Sequence, residues 1–426
     1  MTYEQSHRGT GDNIGEIRFE RPVKVNIGVN EPSRPHFPIP QPTQRFIGRD
    51  EDLSELHALL SENDIVFLNG VGGIGKTTVA MEYARRYGKE YNSLVWLDYH
   101  DSFRLSLLSL SPCFQFSEEP KEIIEIIISE LSRYEGLNLL IIDNFSVESL
   151  KGEEKEREIS FLQCQLPNFK KLITSREEKP GDFVKPKLLD NLPPDYAEAL
   201  FREFFKGQYN PSILTQLFTL IEYHTLTIEL IAKTLAGSHG AVTLGQLYSI
   251  FKEKKFDTPS GSVKTHLDYR NSELQINTYL GELFHLADLL ETHLFLMKKF
   301  SVLPPSDIPN ATLFDLLTSD GESSDISDSI NTINDLVARG WLTQSEKGVT
   351  CHRIIRQYIQ LHAKPAFENV QDLFLNITEK LSYRPEENPL ERIPWIDFAV
   401  SLLEAFPEDR EETAGLSSYV SIIYQA

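Results

Sequence analysis

The sequence predicts an α/β domain with a parallel sheet and helices on both faces, followed by helix-rich domains. Three observations carry this. Short apolar runs alternate with helical patterns between residues 50 and 190. One run, DIVFLNG, enters the glycine-rich stretch GVGGIGKTT at 70–78, and a helical pattern leaves it. Beyond residue 190 the alternation stops and helical periodicity takes over.

The elements follow in order. Residues 1–15 are polar. Residues 16–29 alternate apolar and polar side chains, a strand pattern broken at Pro22. Prolines at 32, 35, 38, 40 and 42 exclude a helix or a central strand and make a stiff connector. RDEDLSELHALL reads as a helix with Leu53, Leu56, Leu59 and Leu60 at helical spacing. DIVFLNG, SLVWLDY, NLLIIDNF and KKLITSRE read as strands, and KTTVAMEYARRYGKEY and EIIEIIISELSRY as helices between them. Further helices are expected at 193–207, 211–236, 243–253, 275–301 and 325–339. The chain ends in a helical pattern without a cap, so continuation into further helices is expected.

With 426 residues the chain can hold several domains. Its formal net charge of −21 weighs against general affinity for nucleic acid or anionic membrane. Cys113, Cys164 and Cys351 form no CxxC pair, which suits small buried residues in a reducing cytoplasm. There is no signal-peptide pattern and no apolar run long enough for a membrane span.

GVGGIGKT from Gly70 to Thr77 satisfies the P-loop pattern. Gly72, Gly73 and Gly75 let successive backbone N–H groups face a phosphate. Lys76 brings a positive charge to the β- and γ-oxygens, Thr77 offers a hydroxyl to Mg²⁺, and Thr78 extends the nucleotide-binding turn. The helix that starts there presents its positive end to the anion. Asp143, at the end of NLLIIDNF, is a second Mg²⁺ ligand through water. Asn144 follows it; an amide cannot take a proton from attacking water, so hydrolysis is expected to be slow. Arg176, after KKLITSRE, is placed to report a γ-phosphate.

Together these stretches resemble the NB-ARC group of STAND ATPases over residues 44–364. The group includes plant disease-resistance receptors, animal apoptosome scaffolds and bacterial sensors. FIGRDEDL at 46–53 resembles its entry motif, which implies adenine contacts near Phe46 and Ile47 and makes Arg49 the motif arginine. LDNLPPDYAEALFREFF resembles the start of its helical domain. In EYHTLTIELIAKTL, Tyr223 and Thr225 replace a glycine and a proline, so Thr225 takes the adenine-side position. The stretch from THLFLMKKF to HRIIRQYI resembles a winged-helix domain, with strands at 341–344 and 348–351. Its His352 matches the motif histidine that would bond the β-phosphate of ADP, although Cys351 and Arg353 replace the flanking residues.

The resemblance implies segments 1–43 (N-terminal and linker), 44–190 (nucleotide-binding), 191–262 (helical), 263–365 (winged-helix) and 366–426, the start of a tetratricopeptide-type sensor. It implies a cytoplasmic switch, closed with ADP and opening with ATP and Mg²⁺ to oligomerise with itself. The trigger would be read by the C-terminal repeats, in immune or cell-death-like signalling. The alternatives are a continuously turning-over ATPase and an ATP-gated winged-helix transcriptional regulator. Residues 291–364 carry seven Lys and Arg against nine Asp and Glu, so direct nucleic-acid binding is not expected.

Overall fold

The computed structural model describes residues 37, 39–40, 45–99, 102–114, 123–148, 150–177, 179–238, 240–256, 278–283, 289–317, 323–345, 347–382, 389–407 and 410–425. The chain divides into residues 1–36 and 37–426, and all described residues belong to the second unit. The strand expected at 16–29 lies outside them, as does most of the proline-rich connector; its Phe37 is buried, edge-on to Phe114.

The α/β part runs α1 (Asp50–Glu62), β1 (Ile65–Asn69), α2 (Lys76–Tyr87), β2 (Ser93–Asp98), α3 (Phe103–Leu108), α4 (Ile123–Ser132), β3 (Asn138–Phe145), α5 (Glu153–Cys164), β4 (Phe169–Ser175) and β5 (Lys185–Leu188). The strands form one sheet in the order β2-β3-β4-β1-β5, with every neighbouring pair parallel. Because strand side chains alternate, each strand feeds two cores. Val66, Leu68, Leu139 and Ile141 join Leu53, Leu56 and Leu60 of α1 and Val79 and Tyr83 of α2. Ile65, Phe67, Leu140 and Ile142 join Phe103 of α3, Ile127 of α4 and Leu162 of α5 on the other face. Each such Leu or Ile contributes about 1.5–3 kcal/mol by burial, which makes the central strands strongly specified.

Helices follow: α6 (Pro194–Phe204), α7 (Pro211–Leu220), α8 (Thr225–Gly237) and α9 (Leu244–Phe256). The single helix expected over 211–236 is therefore two. It breaks at 221–224, where Glu222 and Tyr223 take left-handed backbone angles, φ 52° and 60°. Asn210 caps α7 by accepting from the N–H of Ser212 at 2.9 Å.

Next come α10 (Glu291–Val302), α11 (Asn310–Leu317), α12 (Ser323–Ala338), β6 (Thr343–Gln344), β7 (Val349–Thr350) and α13 (Arg353–His362). The helix expected over 275–301 is likewise interrupted. A helical turn covers 278–283, residues 284–288 lie outside the description, and extended Leu290 precedes α10. β6 and β7 pair antiparallel, and Ile308 bridges to Val349, giving a small β element beside α13. The chain continues through α14 (Gln371–Leu381), α15 (Ile396–Ala405) and α16 (Glu411–Gln425). Arg356 of α13 ties this region together. Its Nε donates to Ser301 O at 3.1 Å and its Nη2 to Ser401 Oγ at 3.0 Å, so α13 is bonded to α10 and α15 at once. No helix among the described residues is long and apolar enough to cross a membrane.

Candidate functional site

The carboxyl ends of parallel strands are where α/β sheets bind ligands, and the predicted loop and carboxylate meet there. The loop 70–75 leaves β1, Asp98 ends β2, Asp143 lies near the end of β3, and Arg176 follows β4. Since β4 lies between β1 and β3, Arg176 emerges between the glycine loop and Asp143.

Apolar β1 delivers the loop from the buried sheet. Gly75, with φ 106°, turns the chain into α2, a conformation that costs a residue with a side chain roughly 1–2 kcal/mol. No side chain caps α2, and its first-turn N–H groups have no intrahelical partner. A Cβ at Gly75 would meet no atom within 4 Å. An uncapped helix start beside that space suits an anion. Lys76 is buried and folds back, donating from Nζ to Gly70 O at 2.8 Å and Val71 O at 2.9 Å. Thr78 is exposed on the first turn of α2.

The β3–β4 ladder shifts register between Ile142 and Phe145, around Asp143 and Asn144. Asn144 has φ 62°, and its N–H is accepted by Thr174 Oγ1 at 3.0 Å. Thr174 in turn donates to Asp143 Oδ1 at 2.5 Å, while Thr77 Oγ1 donates to both carboxylate oxygens at 3.0 and 3.1 Å. The irregularity thus holds Asp143 against the P-loop threonine. Burial pushes the Asp143 carboxyl up to about 6, with the negative field of Asp98 adding to it. Asp98 pairs with Asp143 in the β2–β3 register. Hydroxyl and carboxylate oxygens at this point are hard donors of the kind Mg²⁺ takes. Among the described residues no group of three or more His, Cys, Asp and Glu side chains could hold a metal by itself.

Asn144 directs its Nδ2 to Asp143 Oδ2 at 3.3 Å, and Glu177 accepts the backbone N–H groups of Val147 and Glu148, each at 2.9 Å. Glu177 is therefore used to shape the turn after β3. Arg176 donates from Nη1 to Gln357 Oε1 of α13 at 3.2 Å.

In the entry segment, Arg49 is buried and donates to Asp190 O at 2.6 Å and Ile74 O at 3.2 Å, tying the chain before α1 to the glycine loop. Burial lowers its pKa. Phe46 lies under the Arg86 guanidinium, 5.4 Å from the ring centroid, and packs on the α1–α2 core. Ile47 packs on the opposite core. Gly48 (φ 53°) is covered by Tyr196 of α6; a Cβ there would lie 2.1 Å from the ring.

Two elements from the helical half of the chain reach the loop. Thr225, at the start of α8, donates to Ile74 O at 3.1 Å, and preceding His224 is buried with Nε2 2.8 Å from Gly72 O. From α13, Ile354 packs on the glycines: a Cβ at Gly72 would meet Ile354 Cδ1 at 2.9 Å, and one at Gly73 at 3.0 Å. His352 is the N-cap of α13, its Nδ1 accepting the Ile354 N–H at 3.3 Å. Its surroundings pull its pKa down to about 4, chiefly by burial. The negative charge of Glu229 opposes this and the positive charges of Lys76, Arg176 and Arg353 add to it. The imidazole is thus neutral, with Nδ1 the acceptor and Nε2 the N–H donor.

Sequence reasoning did not single out His224, Asp98 or Gln357. Asp98 could be found only from the β2–β3 register. His224 stands directly before Thr225 in a stretch whose apolar pattern reads as continuous helix, so nothing local marks it.

No family model matches the sequence, and no curated protein matches it. Solved structures do. The protein resembles the Signal Transduction ATPase with Numerous Domains (STAND) protein with a tetratricopeptide repeat sensor, PH0952, from Pyrococcus horikoshii, with TM-score 0.54 and 17% identity. The match covers 91% of this chain and 55% of that one, so this chain spans about half the archaeal protein's length. The Walker-type ATPase of Pyrococcus abyssi matches at TM-score 0.37 and 12% identity, over 76% of this chain and 99% of that one. The ORC1 protein of Aeropyrum pernix, solved in complex with DNA, matches at 0.33 and 12%, over 76% and 94%. The first match shows a P-loop NTPase-like fold; the other two are too distant to add to it.

Proposed function

We propose that this protein is a nucleotide-dependent signalling switch, closed with ADP and opened by ATP. One observation carries the reading: α13, from the far half of the chain, packs Ile354 directly on Gly72 and Gly73 of the glycine loop. A nucleotide bound there lies between two parts of the molecule that can separate, and a ligand shifts such an equilibrium by its differential affinity for the two arrangements.

ADP would be held by the amides of the glycine loop and α2, by Lys76, Thr77 and Thr78, and by His352 through its Nε2–H. Phe46, Ile47, Arg49 and Thr225 would border the adenine side. Mg²⁺, when bound, neutralises phosphate charge beside Thr77 and Asp143. Arg176 would exchange Gln357 for a γ-phosphate, loosening α13. One or two charge-assisted hydrogen bonds made in one arrangement only amount to roughly 2–5 kcal/mol, enough to move the population substantially. Asn144 supplies no base beside Asp143, which favours slow hydrolysis over continuous turnover.

Opening would free the nucleotide-binding face for assembly with further copies, in defence or cell-death-like signalling. The trigger would be read C-terminal to α13, by a sensor of the tetratricopeptide kind named for the archaeal STAND protein; the Arg356 bonds to α10 and α15 would supply a path. The test is to denature freshly purified protein and identify the released nucleotide by chromatography. About one ADP per chain is expected. Empty protein that turns over ATP many times per minute would overturn the switch in favour of a motor.

A further inference from the structure

Every main-chain carbonyl from Gly70 to Gly75 accepts a hydrogen bond. Lys76 takes Gly70 and Val71, and the N–H of Val79 takes Gly75 at 2.9 Å as the first bond of α2. The middle three are taken from the start of α8. His224 Nε2 lies 2.8 Å from Gly72 O, the Leu226 N–H donates to Gly73 O at 3.2 Å, and Thr225 Oγ1 donates to Ile74 O at 3.1 Å. Arg49 adds a second bond to Ile74 O.

The roles of the imidazole nitrogens follow from their partners. A carbonyl only accepts, so Nε2 carries the proton. Nδ1, 2.8 Å from Thr227 Oγ1, then accepts from that hydroxyl. Thr227 is buried, so the ring is fixed on both sides.

In a trans peptide the C=O of one residue and the N–H of the next point in opposite directions, and the described chain has no cis peptide. Fixing the carbonyls of Gly72, Gly73 and Ile74 toward α8 therefore fixes the N–H groups of Gly73, Ile74 and Gly75 away from it. Those are the loop amides that a phosphate would use. The left-handed angles of Glu222 and Tyr223 bring three successive donors to three successive carbonyls.

We infer that the start of α8 is a clamp that aims the phosphate-binding amides of the glycine loop, with His224 as its main positioning residue. This rests on the nucleotide-switch reading above. His224 touches no phosphate in this scheme; it acts through the backbone of Gly72 and Gly73. The clamp also makes the phosphate site conditional: moving α8 away releases the Gly72 and Gly73 carbonyls, leaves Ile74 O to Arg49 alone, and so leaves the Gly73 and Ile74 amides unaimed.

The test compares ADP affinity, by calorimetry, in the parent, His224→Ala, His224→Gln and Thr227→Val, the last removing the hydroxyl that holds His224 Nδ1. Glutamine offers an N–H donor in place of Nε2. We expect His224→Ala to bind ADP about tenfold more weakly, His224→Gln to return within about twofold of the parent, and Thr227→Val to lose about threefold. Equal losses in His224→Ala and His224→Gln would mean packing and not aim, and would overturn the clamp. So would parental affinity in His224→Ala. If neither His224 variant folds, Thr227→Val decides, because it frees the imidazole without touching the nucleotide side: weaker binding supports the clamp and parental affinity overturns it. A parent that binds no ADP overturns the nucleotide reading itself, and the clamp with it; a parent that binds ADP beside an unaffected variant overturns the clamp alone.

Discussion

Arg176 Nη1 donates to Gln357 Oε1 at 3.2 Å, joining the end of β4 to α13 across 181 residues of sequence. A cation beside the phosphate loop is thus shared with a neutral amide on the element that covers the loop. A γ-phosphate is a stronger partner for a guanidinium than an amide oxygen, so ATP bound as proposed would compete with Gln357 for it.

Removing the competitor should ease opening. Gln357→Ala is predicted to lower the ATP concentration for half-maximal opening about fivefold, equivalent to about 1 kcal/mol. Small-angle scattering across an ATP titration would measure it. An unchanged midpoint would mean that the Arg176–Gln357 bond does not restrain the closed form.

The loop glycines should be sensitive to size for a reason unrelated to phosphate. In Gly72→Ala the new methyl carbon would lie 2.9 Å from Ile354 Cδ1 and 3.4 Å from Arg176 Cδ. Overpacking of this kind costs roughly 1–3 kcal/mol, and α13 should lift. Trimming Ile354 relieves the contact, so Gly72→Ala/Ile354→Ala is predicted to be less open than Gly72→Ala alone. Limited proteolysis of the four proteins of this double-mutant cycle measures it. Additive effects would mean that the two residues are not packed together.

Asp143 predicts a pH dependence. Its carboxyl is held at about 6 by burial, with Asp98 adding to it, whereas in the unfolded chain it ionises near ~4. Between those values the folded protein keeps a proton that the unfolded chain has lost. Stability without nucleotide therefore falls as pH rises from ~4 to about 6, and the full cost applies above that. Asp143→Asn removes the titration. It is expected to be roughly 1–3 kcal/mol more stable than the parent at neutral pH and to lose that advantage in acid. Thermal melts at several pH values read this directly. A parent and variant that run parallel from pH ~4 to ~7 would contradict a buried carboxylate forced to ionise.

Much of the site was legible because phosphate binding demands local sequence. Strand β1, the glycines, Lys76, Thr77 and Asp143 lie in two short stretches whose apolar runs mark them as strand ends. Other parts were hidden for physical reasons. Strand β5, KPKL, is an edge strand with mostly exposed side chains and a proline, so it has no apolar alternation to read. Helix α5 opens with a run of charged residues, and its buried Glu158 is held by Tyr99 and the N–H of Phe103, partners 55 or more residues away. The break between α7 and α8 was missed because Leu217, Phe218, Ile221 and Leu226 continue a helical apolar pattern through it. Bonds to Gly72, Gly73 and Ile74, about 150 residues earlier in the chain, favour the turn there.

The central claim is that His352 and the glycine loop grip one ADP from two sides, and ADP affinity in His352→Ala measures it most directly, with ATP affinity as the internal control. The prediction is an ADP affinity at least about tenfold weaker, with ATP affinity changed by less than about twofold. ADP bound as tightly as in the parent would contradict it.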